Sequence, residues 1–332
     1  MFPTRDTALD QQLSNGDCND IFTFAPAQHN ASVSLRFEKP RPKVSSDVKP
    51  APFKYYSAQT LPETLARLAE IAPDDGRILA GGQSLLPAMA FRMARPRHLL
   101  DINRVAGLDR IAEVDGKLAI GALVRHAAFH HAVTSNPLGR LMQAVVPHIA
   151  HYPIRARGTF CGSLAMADPA SEWCCVAATL DAELVAHSIR GQRSIEAGAF
   201  FQGFMSTDLQ PDELLTEVRL PLLTEDTRFG FQEFSRRRGD YAMSMALATL
   251  RVVDGSIAEA RIGVGGAEGC PRRIAEAEAA LLDQPPNLET FQAAANAAAA
   301  AIDPLEDAST SADYRRDLVQ VLTLRALQQA VA

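Results

Sequence analysis

The alternation of apolar and polar residues predicts an ordered α/β segment that begins near residue 50. A short strand is predicted at Phe53–Tyr56. A helix then opens at Leu61, where Thr60 has the residue type of an N-cap and a proline occupies the first turn. Two further strands are predicted at Arg77–Ala80 and His98–Ile102. Strand, helix, strand and a glycine turn together make a small α/β unit.

Strands are more frequent in the middle of the chain, and the pattern changes again in the C-terminal third. In the middle, the predicted elements are strands at Lys117–Leu123, Ala182–Ser188 and Leu214–Pro221 and helices at Pro137–Ile149 and Glu172–Leu180. In the C-terminal third, they are strands at Phe229–Ser235, Ala246–Val253 and Ile257–Val264, then helices at Ala275–Leu282, Leu288–Ile302 and Ala312–Gln328. Asp254-Gly255 is a strong hairpin signal. This part is predicted to be α+β, with a three-stranded antiparallel sheet and helices.

Residues 1–47 differ from the rest of the chain. They are rich in Asp, Asn, Gln, Ser and Pro and lack sustained periodicity. We expect them to form a disordered or loosely attached arm outside any binding site, because they have too little apolar surface to offset the entropy of ordering. The alternative is that the arm wraps a partner, with Ile21–Phe24 as its anchor.

Composition and charge exclude several classes of protein. Of the 332 residues, 47% are hydrophobic and 22% are charged, which is typical of a soluble globular protein. No apolar run approaches the roughly 18 residues that span a bilayer, and residues 1–10 lack the apolar region of a signal peptide. The formal net charge of -6 argues against a dedicated nucleic-acid binder. Five scattered cysteines without C-x-x-C spacing indicate reduced thiols in the cytoplasm, and no zinc or iron–sulfur site in this chain.

The stretch Leu79–Pro87, with the sequence LAGGQSLLP, places two glycines directly after an apolar strand. Glycine permits positive φ and the close approach of a ligand or of another backbone segment. Successive backbone N–H groups in such a turn form a nest that binds an anion, and each hydrogen bond to a charged oxygen contributes about 1.5–3 kcal/mol. The stretch is therefore a candidate diphosphate site. A plain strand-to-helix turn is the alternative interpretation.

A second glycine-containing stretch runs from Arg155 to Glu172, with the sequence RARGTFCGSLAMADPASE. It combines a small-residue turn and hydroxyl groups with two carboxylates, Asp168 and Glu172. Carboxylates are natural acceptors for sugar or ribityl hydroxyls. The alternative is a loop in which Asp168 caps a helix and Glu172 lies in its first turn, where the helix dipole favours an acidic residue.

Together the two stretches resemble the flavin-binding loops of the FAD-binding medium subunits of molybdenum hydroxylases. This family, with the PCMH-type FAD-binding fold, includes the flavoproteins of carbon monoxide dehydrogenase and the flavin domain of xanthine dehydrogenase. The resemblance runs from about Val48 to the C-terminus. It includes further motifs in the same order: Arg95-Pro96, Leu100-Asp101-Ile102-Asn103, Asp212-Glu213-Leu214-Leu215, Ser235-Arg236-Arg237, Gly239-Asp240-Tyr241-Ala242 and Tyr314-Arg315-Arg316.

The resemblance implies a fold and a set of FAD contacts. Two α/β subdomains, at 48–107 and 108–224, would bind FAD between them, and an α+β domain at 225–332 would help to cover the flavin. The residues that match the family's cofactor-binding positions are Leu79, Ala80, Gly81, Gly82, Gln83, Ser84, Leu85, Leu86, Ile149, Thr159, Phe160, Cys161, Gly162, Ser163, Asp168, Glu172 and Leu215. No catalytic residue and no metal ligand of this chain is implied.

The resemblance also implies a role in a heterotrimer. This chain would carry FAD, while a large subunit holds molybdopterin and a small subunit holds 2Fe-2S clusters. Electrons would pass from those clusters to the FAD and on to an external acceptor. Two alternatives remain open: a self-contained flavin oxidase with the same architecture, and a flavin-free scaffold subunit.

Three positions depart from the family pattern. Cys161 stands where relatives carry a glycine, so its Cβ is expected to meet a backbone conformation that suits glycine. Met205 stands where relatives often place an aromatic residue over the flavin ring. Gln232 or Glu233 stands in place of a family lysine near the flavin.

A glycine-rich stretch and a pair of histidines have spacings similar to those of known binding sites. Gly263–Gly269 contains four closely spaced glycines but has Glu268 where a dinucleotide fingerprint requires its third glycine. His148 and His151 have a metal-like spacing without a third ligand nearby, which favours a loop or packing role.

Overall fold

Three main β-sheets follow one another along the chain. The computed structural model describes residues 49–308 and 310–332, so the predicted arm at residues 1–47 lies outside the described residues. The described part contains a three-stranded, a five-stranded and a four-stranded sheet, together with a two-stranded ribbon. These residues belong to one compact unit.

The first sheet is parallel. Its strands, in spatial order, are β1 (Lys54–Ser57), β3 (His98–Asp101) and β2 (Gly76–Leu79), with helix α1 (Leu61–Ile71) between β1 and β2 and helix α2 (Leu85–Ala90) after β2. Thr60 caps α1 as predicted, because its Oγ1 accepts a hydrogen bond from the backbone N–H of Glu63 at 3.3 Å. Since the strands run parallel, the turn after β2 and the loop after β3 leave the sheet at the same edge.

The second sheet is antiparallel throughout. Its strands, in spatial order, are β4 (Ile111–Val114), β5 (Lys117–Gly121), β10 (Leu214–Pro221), β6 (Glu183–Ser188) and β7 (Gly191–Glu196). The other elements of this part are α3 (Pro137–Val145), α4 (Tyr152–Arg155), α5 (Phe160–Met166), α6 (Glu172–Thr179), α7 (Ala197–Phe200), β8 (Phe201–Gly203) and β9 (Ser206–Thr207).

The helix predicted at residues 137–149 ends earlier than expected. Helix α3 stops at Val145, and Val146–His148 continues it as a single 3-10 turn. Pro147 explains the change, because it has no backbone N–H to donate to the preceding turn.

The third sheet has four strands, so the prediction of three was wrong. Its strands are β11 (Arg228–Phe234), β12 (Ser244–Val253), β13 (Ser256–Gly265) and β14 (Arg272–Arg273), and its helices are α8 (Ala275–Ala279), α9 (Leu288–Ala301) and α10 (Ala312–Val331). Strand β14 consists of two arginines paired with β13, so it carries no hydrophobic alternation that a sequence pattern could detect. The predicted hairpin turn is confirmed, with Asp254 and Gly255 at φ +50° and +82°.

Strand β12 connects the two hydrophobic cores of the molecule. One core joins the first two sheets and includes Leu100, Ile120 and Trp173. The other packs the third sheet against its helices. Met245 and Leu247 of β12 belong to the first core, whereas Ala246, Ala248 and Leu250 belong to the second. Because successive strand residues face opposite sides, β12 is buried on both faces and is apolar almost continuously.

Candidate functional site

The turn after strand β2 is held in shape by the loop that follows β3. Asn103 donates a hydrogen bond from Nδ2 to the carbonyl oxygen of Ala80 at 2.8 Å, and it accepts one from Nη2 of Arg125 at 2.6 Å. Gly82 has φ +72°, a conformation that favours glycine. Among the described residues, none accepts a hydrogen bond from the backbone N–H groups of residues 81–85. These donors are therefore free to bind an anion.

The segment from Arg157 to Ser163 packs directly against this turn. A Cβ atom on Gly81 would overlap the carbonyl oxygen of Arg157 and would lie 2.7 Å from the Cα of Gly158. Nη1 of Arg125 donates to the same Arg157 oxygen at 2.6 Å, so one guanidinium ties the segment to Asn103 and the first turn. The close contact explains why position 81 is a glycine.

Cys161 does not occupy a glycine-like conformation, so that expectation was wrong. It lies in the first turn of α5 and has no positive φ, because Thr159 caps the helix by accepting a hydrogen bond from the Gly162 backbone N–H at 3.1 Å. The thiol donates to the carbonyl oxygen of Ile120 at 3.5 Å, and burial raises the pKa of the thiol. A helical backbone accommodates the Cβ of cysteine without strain.

A cavity of about 480 Å³ lies between the two segments. The predicted cofactor residues that line it are Leu79, Ala80, Gly81, Gly82, Gln83, Ser84, Leu85, Thr159, Cys161, Gly162, Ser163 and Leu215. The sequence stretches at residues 79–85 and 159–163, far apart along the chain, therefore form the walls of one cavity. Leu215 comes from β10 of the second sheet and adds a third wall.

Five predicted cofactor residues do not line this cavity. Leu86 is 42% exposed, and its side chain would meet a Cβ on Gly82. Phe160 is fully buried and packs against Trp173, with ring centroids 5.1 Å apart. Ile149 is also buried, and its carbonyl oxygen accepts a hydrogen bond from Arg155 at 2.7 Å.

The last two of these five, Asp168 and Glu172, lie at the start of helix α6. Asp168 is not the helix cap, because Ser171 occupies that position and Asp168 instead accepts a hydrogen bond from the Ala170 backbone N–H at 2.9 Å. The alternative interpretation of Asp168 as a cap was therefore wrong. Glu172 lies in the first helical turn, as that interpretation required, and is buried.

Three further cavity residues were not among the predicted cofactor contacts. His126 is 4% exposed and accepts a hydrogen bond at Nδ1 from Nε1 of Trp173 at 3.0 Å. Met205 lines the cavity with φ +50°, and its backbone N–H donates to Ala167. Glu213 is held by Arg193, which also keeps the pKa of its carboxyl low. These residues come from three different loops, so only the tertiary fold brings them to one cavity.

Comparison with known proteins decides the family. The family model described as the FAD binding domain in molybdopterin dehydrogenase matches residues 51–223, and that described as the CO dehydrogenase flavoprotein C-terminal domain matches residues 229–330. The chain belongs to this flavoprotein family. Its two matched domains cover nearly all of the described residues, and the motifs found in the sequence lie within them.

Individual members of the flavoprotein family align over nearly their whole length. The 6-hydroxypseudooxynicotine dehydrogenase complex subunit alpha of Paenarthrobacter nicotinovorans is 39% identical over 285 residues, covering 86% of this chain and 96% of that protein. A chain of quinoline 2-oxidoreductase from Pseudomonas putida 86 superimposes with a TM-score of 0.81 at 35% identity, covering 85% of this chain and 98% of that chain. A chain of carbon monoxide dehydrogenase from Hydrogenophaga pseudoflava superimposes with a TM-score of 0.81 at 32% identity and with the same coverage of both chains. The relatives named as dehydrogenases identify this chain as a subunit of an oxidoreductase.

Glu172 on helix α6 and Glu233 on strand β11 are two carboxylates with little solvent exposure. Of the two residues expected to replace a family lysine, Gln232 donates a hydrogen bond to Gln329, whereas the Glu233 side chain is only 3% exposed. Its Oε2 has no hydrogen-bond partner in the part of the chain that is described, and Nδ1 of His148 lies 3.6 Å away. Burial raises the pKa of Glu172 to about 7 and that of Glu233 to about 8, and the charge of Glu172 adds to the second shift.

The remaining motifs have structural roles. His148 packs edge-on against Phe231, with ring centroids 5.1 Å apart. No group of three or more His, Cys, Asp or Glu side chains within residues 49–308 and 310–332 is arranged to hold a metal ion. Gly263 and Gly265 lie inside strand β13, where Gly263 packs against Thr179, so this stretch does not open a helix as a dinucleotide fingerprint would. No helix in the described ranges is long and apolar enough to cross a membrane.

Proposed function

We propose that this chain is the FAD-carrying electron-transfer subunit of a heterotrimeric molybdenum hydroxylase. In this role it takes electrons from 2Fe-2S clusters on a small subunit and passes them to an external acceptor, while the substrate is hydroxylated on a large molybdopterin subunit. The observation that carries the proposal is the cavity between two glycine-containing segments, with a row of free backbone N–H groups on one wall.

The chemistry of the cavity fits FAD. A volume of about 480 Å³ falls within the range typical of small-molecule sites, about 300–1,000 Å³. The free N–H groups at residues 81–85 suit a diphosphate, because backbone donors bind anionic oxygens without a charged side chain. The contact of Gly81 with Arg157 and Gly158 brings the second segment to the same place.

Each part of the site has a proposed task. We assign residues 79–85, Thr159 and residues 161–163 to the diphosphate and ribityl chain, and Leu215 to the apolar surroundings of the cofactor. FAD supplies reversible electron-transfer chemistry when it is bound. The protein contributes binding, orientation and exclusion of water.

The names of the relatives support the assignment of partners. They include a dehydrogenase complex subunit, a nicotine 6-hydroxylase medium subunit and carbon monoxide dehydrogenase medium chains. Such names describe one chain of a larger assembly. We therefore infer two partner subunits for this chain, one with molybdopterin and one with 2Fe-2S clusters.

The proposal includes a division of the chain and a location. We propose FAD-binding subdomains at 48–107 and 108–224 and a covering domain at 225–332, a division that the three successive sheets support. We place the complex in the cytoplasm. The four described cysteines are free thiols, a state that a reducing compartment maintains.

Affinity purification of the tagged full chain from its native cells tests the assembly. We expect two further subunits to co-purify, one containing molybdopterin and one containing 2Fe-2S clusters, together with FAD. A chain that purifies alone with FAD and reduces oxygen with its own substrate would instead be a self-contained oxidase. A complex without flavin would identify a scaffold subunit, and either result would overturn the proposal.

A further inference from the structure

His126 lies in the wall of the candidate FAD cavity. It begins the 3-10 turn His126–His130 and lines the cavity while remaining 4% exposed. Its backbone N–H donates to the carbonyl oxygen of Gly158 at 3.0 Å, which fixes the residue against the second glycine-containing segment. The side chain is therefore a buried polar group with a defined position in the cavity wall.

Trp173 determines which ring nitrogen of His126 carries the proton. The indole Nε1–H of Trp173 lies 3.0 Å from Nδ1 of His126, and an indole nitrogen only donates. Nδ1 must therefore accept, so a neutral ring carries its proton on Nε2. Burial, with the nearby charges of Arg125 and Arg155, lowers the pKa of His126 to about 4, which keeps the ring neutral at physiological pH.

The Nε2–H group lies where the two glycine-containing segments meet. A Cβ atom on Gly158 would lie 2.6 Å from this nitrogen, and Gly158 itself contacts Gly81. No group within the described residues accepts a hydrogen bond from Nε2. Because His126 lines the cavity, this donor is available to an acceptor on a ligand bound there.

We propose that His126 donates a hydrogen bond from Nε2 to a diphosphate oxygen of bound FAD, and that Trp173 is the positioning residue that sets its tautomer. The assignment to the diphosphate rests on the proposed function and on the neighbouring free N–H groups of residues 81–85. In contrast to a lysine or arginine, a neutral histidine binds the anion without adding charge to the cavity.

Titration of the full chain with FAD and with ADP, after removal of bound flavin, tests this proposal. ADP carries the diphosphate without the flavin. His126→Leu should bind both ligands about ten- to hundredfold more weakly than the wild type, because it loses one hydrogen bond to a charged oxygen. His126→Gln, whose amide nitrogen can replace Nε2, should retain most of the affinity. His98→Leu is the matched control, since His98 is also buried and hydrogen-bonded but does not line the cavity.

The outcomes separate this proposal from the proposed function. If the wild type binds neither FAD nor ADP, the proposed function fails. If the wild type binds both, and folded His126→Leu binds them equally well or loses affinity for FAD alone, the role of His126 at the diphosphate is overturned.

If His126→Leu does not fold, nitrogen-15 NMR of the histidine rings tests the tautomer of His126 and its contact with the diphosphate. In the wild type, His126 should be the Nε2–H tautomer, and its Nε2 resonance should move when ADP binds. In Trp173→Phe, the ring should become a mixture of the two tautomers. An Nδ1–H tautomer in the wild type, or an Nε2 resonance that ADP leaves unchanged, would contradict the proposal.

Discussion

The two glycines of the first turn are required for different physical reasons. Gly82 has φ +72°, so its backbone conformation favours glycine. Gly81 has no positive φ, but a Cβ there would overlap the carbonyl oxygen of Arg157. The sequence predicts that both residues permit an unusual turn. It does not predict the contact with Arg157, because that contact joins segments more than seventy residues apart.

Substitution of Gly82 tests the role of the turn. Gly82→Val should lose FAD, because the side chain forces the backbone out of its conformation and displaces Leu86. Gly116→Val is a matched control, since Gly116 also has φ +72° but nothing lies within 4 Å of its Cβ position. Both variants should lose roughly 1–3 kcal/mol of stability. FAD content per folded chain should fall only in Gly82→Val, and full occupancy there would show that the turn does not bind the cofactor.

Cys161 should be chemically inert. The residue is 2% exposed, and burial raises the pKa of its thiol, so little reactive thiolate forms. Cys161→Ala should retain FAD and electron transfer, because alanine keeps the helical backbone and occupies less space. In alkylation mapped by mass spectrometry, Cys270 should react before Cys161, Cys174 and Cys175, which are buried. Loss of activity in Cys161→Ala with FAD still bound would give the thiol a chemical role.

Local sequence patterns predicted most helices and strands. They failed for elements whose formation depends on contacts between distant parts of the chain. The Thr60 cap and the Asp254-Gly255 turn depend on a few adjacent residues, and both were predicted. The two-residue strand β14 was missed because its pairing with β13 depends on the fold rather than on its own sequence. The end of α3 at Pro147 is explained by local chemistry, although apolar periodicity continues past it.

The burial of the Glu233 side chain on strand β11 should make the stability of the chain depend on pH. Glu233 has a pKa of about 8 in the folded chain, against an ordinary value of 4.5. The folded state therefore binds the proton of the Glu233 carboxyl more tightly than the unfolded state does. The contribution of this carboxyl to the free energy of unfolding is complete below about pH 4.5 and is lost as the pH rises through about 8. Glu233→Gln should therefore be more stable than the wild type at about pH 9, by roughly 1–3 kcal/mol, and similar to it at about pH 5.

Urea unfolding at about pH 5 and about pH 9 measures how Glu233→Gln changes the free energy of unfolding. Glu259→Gln is the matched control, because Glu259 lies on β13 but is exposed and paired with Arg251. The free energy of unfolding of Glu259→Gln should differ little from that of the wild type at both pH values. If the free energy of unfolding of Glu233→Gln differed from that of the wild type by the same amount at both pH values, the Glu233 carboxyl would not be held protonated in the folded chain.

At the scale of the whole molecule, the sequence predicted which segments form the site better than which side chains complete it. The two glycine-containing segments carry recognisable local patterns, and the fold places them on one cavity. His126, Met205 and Glu213 also line it, but each comes from a loop whose position depends on the surrounding sheets. Conversely, Phe160 lies within the second segment yet points into the core beside Trp173. Proximity along the chain therefore did not determine which residues face the cavity.

The visible absorption spectrum of the purified full chain, after incubation with FAD and removal of unbound flavin, shows directly whether the chain binds the cofactor. We predict the bands of oxidised flavin at about one FAD per chain, bleached on reduction, with the cofactor released by denaturation identified as FAD by mass spectrometry. A folded wild-type chain that shows no flavin bands under these conditions would contradict the account of the cavity and of the function proposed for it.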